Sequence, residues 1–292
     1  MPPVGRTPGG PNAPMGTIAA LVIGAAVLYG IICLLLFTFQ QRLVFFPTHG
    51  EYPATPRFVD LSWRDVSLTT DDGVRIAGWF IEGPDADAPV VLFFHGNAGD
   101  MSHRLSTLSA LHELGAATLM IDYRGYGRSD GSPDEAGLYR DARAAWKWLT
   151  GEAGYAAERV VIFGRSLGGP VAAWLAARHD PAGLVLESAF TSVPDLAAHH
   201  YPWLPARWLA RYDFDTKAAL ARVECPVLIA HSPDDEIVPF DHADVLAAVR
   251  PGATQRVRLS GTHNDPSLEL DAGWRQTLGD FIHRHTVAAV PR

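Results

Sequence analysis

Gly164-Arg165-Ser166-Leu167-Gly168 follows the apolar run Val160-Val161-Ile162-Phe163 and precedes a run rich in alanine. This is the order strand, sharp turn, helix. A G-x-S-x-G pentad in that setting reads as a nucleophile elbow, in which glycines two residues either side of the serine remove side chains that would clash in a strained turn. The turn lifts the Ser166 hydroxyl above the sheet edge. It also aims the Leu167 amide and the start of the next helix at the point where negative charge develops on a carbonyl oxygen.

A serine hydroxyl is a weak nucleophile at neutral pH and needs a histidine base, a carboxylate that orients the base, and oxyanion donors opposite. Candidates for each lie where strands end. Cys225-Pro226-Val227-Leu228-Ile229-Ala230 reads as a buried strand running into His231-Ser232-Pro233-Asp234-Asp235-Glu236-Ile237-Val238-Pro239, a carboxyl-end turn of the kind where catalytic groups collect. Asp235 is the candidate acid. Its neighbour Asp234 and Glu187, at the end of Leu184-Val185-Leu186, are the substitutes. Gln255-Arg256-Val257-Arg258-Leu259 alternates as a strand does and leads to Gly261-Thr262-His263-Asn264-Asp265. His263, one strand after the acid, is the candidate base among twelve histidines. Val90-Val91-Leu92-Phe93-Phe94 ends in His95-Gly96-Asn97-Ala98-Gly99, where small residues admit a substrate to the backbone. The amides of Asn97 and Leu167 are the candidate oxyanion hole, and His95 is expected to hold that loop by hydrogen bonds.

These residues, with Asp122-Tyr123-Arg124-Gly125-Tyr126-Gly127-Arg128-Ser129 and Glu187-Ser188-Ala189-Phe190-Thr191-Ser192, resemble the alpha/beta-hydrolase superfamily from about Arg42 to Phe281. Within it the chain resembles the N-terminally membrane-anchored serine hydrolases, which include depalmitoylase-like alpha/beta-hydrolase-domain proteins and bacterial relatives classed with serine aminopeptidases. The resemblance implies a mostly parallel eight-stranded sheet flanked by helices. It also implies a triad of Ser166, Asp235 and His263, no metal or organic cofactor, and ester or thioester hydrolysis. The D-x-x-V-P pattern of Asp235 to Pro239, which recurs in such hydrolases, favours Asp235 over Asp234.

The rest of the chain is read from its patterning. Trp63 to Thr69 and Val74 to Ile81 flank Asp72-Gly73, a hairpin signal, so the sheet is expected to begin antiparallel. Residues 1–16, rich in proline and glycine, have too few apolar side chains to fold and read as a disordered tail. Residues 17–41 read as a transmembrane anchor, because Ile18 to Phe39 is free of charge and about 20 such residues cross ~30 Å of hydrocarbon as a helix. A cleaved signal peptide fits less well, since the apolar run exceeds its usual length and no A-x-A-like site follows. Residues 42–292 form the expected hydrolase domain. Its entry, Arg42-Leu43-Val44-Phe45-Phe46-Pro47, has two readings, a membrane-interface segment or a stretch packed on the domain.

A short tail ahead of one span usually stays in the cytoplasm, which puts the domain beyond the inner membrane. The arginine-heavy, alanine-rich composition suggests a bacterium, and hence the periplasm. All but two of the 24 Lys and Arg, and all 32 Asp and Glu, follow Arg42, so the domain is acidic and nucleic acid is excluded as a natural partner. With only Cys225 beyond the anchor, the domain has no internal disulfide.

Residues 193–223, between the sixth and seventh strands, are expected to form a short cap over the nucleophile. Tyr201, Trp203, Trp208 and Leu209 can give it an apolar face toward an acyl pocket or lipid, or can pack in the core. His199 and His200 lack the neighbours that would complete a metal site and read as surface residues. The expected substrate is a small-molecule or lipid-like acyl ester or thioester. Aminopeptidase or amidase action and a non-catalytic anchored scaffold are the alternatives.

Overall fold

The computed structural model describes residues 15–286. The expected tail therefore lies outside the described residues, except that Met15 and Gly16 already belong to a helix. In chain order the elements are α1 (Met15–Thr38), α2 (Gln40–Val44), β1 (Arg64–Thr69), β2 (Arg75–Ile81), β3 (Val90–Phe94), α3 (Leu105–Glu113) and β4 (Ala117–Ile121). There follow α4 (Glu135–Lys147), β5 (Val160–Arg165), α5 (Gly168–Ala176), β6 (Gly183–Glu187), α6 (Val193–His200), α7 (Ala206–Leu209) and α8 (Thr216–Leu220). The chain ends with β7 (Val227–His231), α9 (Asp241–Ala247), β8 (Thr254–Arg258), α10 (Ser267–Leu270) and α11 (Ala272–Thr286).

The eight strands form one sheet in the order β1-β2-β4-β3-β5-β6-β7-β8. β2 runs antiparallel to both β1 and β4, and every pair from β4 onward is parallel. The hairpin closes at Gly73, whose φ of 83° lies in the left-handed region that glycine enters without strain. Strands β3 to β7 are buried throughout apart from Arg165 at the end of β5, so they read as nearly continuous apolar runs. Edge strand β1 alternates, with Val66 and Leu68 inward.

Helices cover both faces. Val90, Leu92 and Phe94 of β3 join the core beneath α4, α5, α8 and α9, while Val91 and Phe93 join the one beneath α3, α10 and α11. Alternate side chains of a strand point to opposite faces, so one apolar run supplies two cores. With every parallel strand pointing the same way, the loops after β3, β5, β6, β7 and β8 collect at one sheet edge, where α/β proteins place their sites.

Helix α1 is the one helix among the described residues that is long and apolar enough to cross a membrane, and its side chains are almost all exposed. The chain then turns through α2 and lies across the sheet edge. There Phe45 is buried against Tyr212 and Phe214, whereas Leu43 and Phe46 remain exposed. The segment packs on the domain through Phe45, and its side chains alternate between the domain and the outside.

Candidate active site

Ser166 sits at the tip of the turn between β5 and α5 with φ of 51°, a left-handed conformation unusual for a residue with a side chain. Backbone contacts hold it there. Its amide donates to Glu187 O at 2.9 Å, and its carbonyl accepts from the Gly169 amide at 2.8 Å. The two glycines of the pentad are required by close approach rather than by φ. A Cβ on Gly164 would stand 2.2 Å from Gly168 O, and one on Gly168 would stand 2.0 Å from Phe94 O. Strand β5 and helix α5 meet so tightly that only hydrogen fits.

The histidine arrives on the loop after β8. His263 Nε2 lies 3.0 Å from Ser166 Oγ, and its Nδ1 lies 2.7 Å from Asp235 Oδ2. Its loop is tied at several points. Asp265 accepts from the Thr262 amide and hydroxyl, Glu236 accepts from the His263 amide at 3.1 Å, and Ser232 Oγ donates to Gly261 O.

Asp235 is buried. Its Oδ1 accepts from the amides of Ile237 and Val238 at 3.0 and 2.7 Å, while His231 Nε2 approaches Oδ2 at 3.3 Å. Burial pushes its carboxyl upward, but hydrogen bonds from His231, His263 and the Val238 amide outweigh that and hold it below the usual carboxylate range. It stays ionised at neutral pH. Asp234 is exposed, and no hydrogen bond joins it to His263.

Opposite the histidine, the loop after β3 brings Gly96 alongside the elbow, with its Cβ position 3.5 Å from Ser166 Cβ. Among the described residues no acceptor is bonded to the amide of Asn97 or of Leu167. Both expected oxyanion donors are thus free.

The side chain of Asn97 has a separate part that motif reading missed. Its Nδ2 donates to Val44 O at 2.6 Å, and its Oδ1 accepts from the Phe46 amide at 3.2 Å and the Tyr126 hydroxyl at 2.8 Å. Backbone bonds between Phe46 or Thr48 and Gly99 extend the tie. The segment leaving α2 is therefore laced directly to the loop that carries the Asn97 amide.

Glu187, the substitute acid, does not reach the histidine ring. It accepts from Ser267 Oγ at 2.8 Å and Trp274 Nε1 at 3.1 Å, and it pairs with Arg165 at 3.1 Å. Arg165 in turn donates to His263 O and Asp265 O, each at 2.8 Å. The second residue of the pentad thus links a buried carboxylate to the histidine loop. No local pattern announces this, because the partners lie tens of residues to 100 residues apart. His95 is fully buried, with Nδ1 2.7 Å from Gly96 O and Nε2 3.4 Å from Asp122, and it braces the loop as expected. Cys225 is half-buried rather than buried, and desolvation pushes its thiol up to about 12. No cluster of three or more His, Cys, Asp or Glu suited to a metal occurs among the described residues.

The cap consists of α6, α7 and α8. Its aromatics divide, for Tyr201, Trp203 and Trp208 are 52%, 57% and 91% exposed, whereas Tyr212 and Phe214 are buried in the core. His200 Nε2 bonds Ile237 O at 2.7 Å, joining the cap to the loop that carries Asp235.

A mostly parallel eight-stranded sheet in this order, with a serine elbow after β5 and a cap between β6 and β7, has the architecture of the alpha/beta hydrolases. A family profile described as the alpha/beta hydrolase fold matches residues 89–223. An alpha/beta hydrolase domain-containing protein of Arabidopsis thaliana, WAV2, is 35% identical, over 86% of this chain and 90% of its own length. The lysophosphatidylserine lipase ABHD12 of Danio rerio is 32% identical over 66% of this chain and 56% of its own length. Among solved structures, a Pyrococcus furiosus esterase, Pf2001, superposes with a TM-score of 0.70 at 19% identity, over 83% of this chain and 98% of its own. The chain belongs to the alpha/beta hydrolase family.

Proposed function

We propose that this chain is a membrane-anchored serine hydrolase that cleaves acyl esters or thioesters through an acyl-enzyme. The observation that carries the reading is the continuous relay from Asp235 through His263 to Ser166, at 2.7 and 3.0 Å, facing two unpaired amides. A relative that is a lysophosphatidylserine lipase supports a lipid ester as the substrate class.

In this reading His263 Nε2 takes the proton of Ser166 as Oγ attacks the acyl carbonyl, and the amides of Asn97 and Leu167 hold the resulting oxyanion. Collapse breaks the bond to the alcohol or thiol, which leaves with the proton from His263. Water then gives its proton to His263 and attacks the acyl carbon, and Ser166 departs reprotonated. Asp235 holds the tautomer in which Nδ1 carries the hydrogen and steadies the imidazolium. α1 tethers the domain to the bilayer, with the domain on the periplasmic face.

A fluorophosphonate probe tests the nucleophile. Membranes with the full-length chain are expected to show labelling that is absent in Ser166→Ala and falls steeply in His263→Ala at equal abundance. Absence of labelling in folded wild type would overturn the reading. Faster turnover of aminoacyl amides than of matched esters would overturn the substrate class.

A further inference from the structure

The cap is bound to α1 at two levels. Gln40, just past the end of the helix, donates from Nε2 to Leu209 O at 2.8 Å and accepts from the Arg211 amide at 2.6 Å. Much farther up, the Tyr29 hydroxyl donates to Trp203 O at 2.9 Å, and the two rings meet edge to face at 6.5 Å.

These contacts fix where the cap stands if α1 spans a bilayer, a point that rests on the anchor reading above. α1 has 24 residues. Crossing ~30 Å of hydrocarbon takes about 20 residues at ~1.5 Å each. The part from Met15 to Tyr29 is too short to span alone, so the turns beyond Tyr29 must also lie in hydrocarbon. Placing the apolar slab at either extreme of an upright helix leaves Tyr29 about 7 to 13 Å inside its boundary. Trp203 is bonded at that level.

We infer that the cap tip Tyr201–Pro205 is immersed in the leaflet on the domain's side, so that the site takes its acyl substrate laterally from lipid. The composition of the tip suits that medium. Tyr-Pro-Trp-Leu-Pro carries no charge, and its two tryptophan and tyrosine side chains are more than half exposed. Its backbone is largely relieved of free donors. Pro202 and Pro205 have no N–H, the amides of Tyr201 and Leu204 donate to Ala197 O and Tyr201 O, and Tyr29 covers the Trp203 carbonyl. Unpaired backbone groups are costly in hydrocarbon, which makes these pairings count. The cap's cations lie at the other end. Arg211, two residues past Leu209 and bonded to Gln40, stands where a long basic side chain reaches headgroups, and Arg207 pairs with Asp195. Directly before the tip, His200 joins the cap to the Asp235 loop at Ile237 O, so the cap bridges the bilayer and the candidate site.

Depth-dependent quenching tests this without relying on activity. In the full chain with Cys33→Ala and Cys225→Ala, a polarity-sensitive dye is placed at Trp203→Cys, with Tyr201→Cys as a second site and exposed Glu158→Cys, before β5, as the control. The chain is reconstituted in phosphatidylcholine vesicles containing a minority of phosphatidylglycerol, with nitroxides on the acyl chains. The cap dyes are expected to shift to the blue and lose most of their emission, while the Glu158 dye keeps its own. A chain that floats with vesicles but leaves both cap dyes unquenched overturns the inference and spares the anchor. A chain that fails to float removes the anchor and the inference together. Loss of fluorophosphonate labelling alone strikes the hydrolase reading and leaves this one standing.

Discussion

The elbow at Gly164–Gly168 and the cap at residues 193–223 stand on the same edge of the sheet and are held there by different physics. The elbow is closed by backbone against backbone. β5 pairs with strands on both sides, α5 packs to within a hydrogen atom of Phe94 O, and Ser166 has no room to relax from its left-handed conformation. A strained residue persists where its surroundings over-determine it. The cap is rooted in the core by Phe214 and Leu220, but its outer part around α7 rests on scattered side-chain hydrogen bonds and leaves its largest rings exposed. In the proposed mechanism the reaction geometry thus rides on the stiffest part of the molecule, and the surface proposed to meet lipid rides on a part free to adjust.

Substitutions can break or sharpen that contrast. The largest loss is expected from Asp235→Asn, which keeps the shape but removes the charge that orients His263. Turnover of an ester substrate should fall by about 10⁴-fold. The same variant has a signature in stability. Because the folded state holds Asp235 below the usual carboxylate range, its contribution is present above the ordinary carboxylate pKa and is lost as pH falls through the folded value. Urea unfolding at descending pH should therefore show a shallower acid decline in Asp235→Asn than in wild type.

Gly168→Ala comes next. Its methyl would meet Phe94 O at 2.0 Å, so α5 must separate from β3 at a cost of roughly 3 kcal/mol or more, read as a lower urea midpoint. A midpoint unchanged from wild type would erase the contrast between a rigid elbow and an adjustable cap.

Asn97→Ala leaves the backbone donor in place but cuts the ties to Val44, Phe46 and Tyr126. Part of the contribution of one oxyanion donor should be lost, about tenfold in kcat with KM little changed. A change confined to KM would mean that the loop needs no such brace. The smallest effect is expected from Gln40→Ala, which frees one end of the cap from α2. Losing two partly exposed hydrogen bonds amounts to about 1 kcal/mol, or roughly fivefold faster tryptic cleavage at Arg207 and Arg211 in detergent.

Much of this was legible in the chain itself. The pentad between an apolar strand and an alanine-rich helix, the Asp-Gly hairpin, and the order serine, aspartate, histidine after successive strands all declare themselves locally, because strand and turn chemistry is short-ranged. The parallel sheet then had little choice but to bring Ser166, Asp235 and His263 to one edge. The charge-free run of α1 was equally plain.

Tertiary structure supplied the physical reason for Asp235, which its pattern with Val238 and Pro239 already favoured over Asp234, since the amides of Ile237 and Val238 hold its Oδ1 while Oδ2 meets His263. It also decided that Arg165 and Glu187 brace the histidine loop, that the Asn97 side chain grips the segment leaving α2, and that Trp203 docks at Tyr29. Each of these joins residues tens to more than a hundred positions apart, through single side chains whose identity carries no periodic or spaced signature. Local sequence can specify strands, turns and the direction of a loop, but a long-range hydrogen bond exists only once the sheet and its helices have brought both partners to the same place.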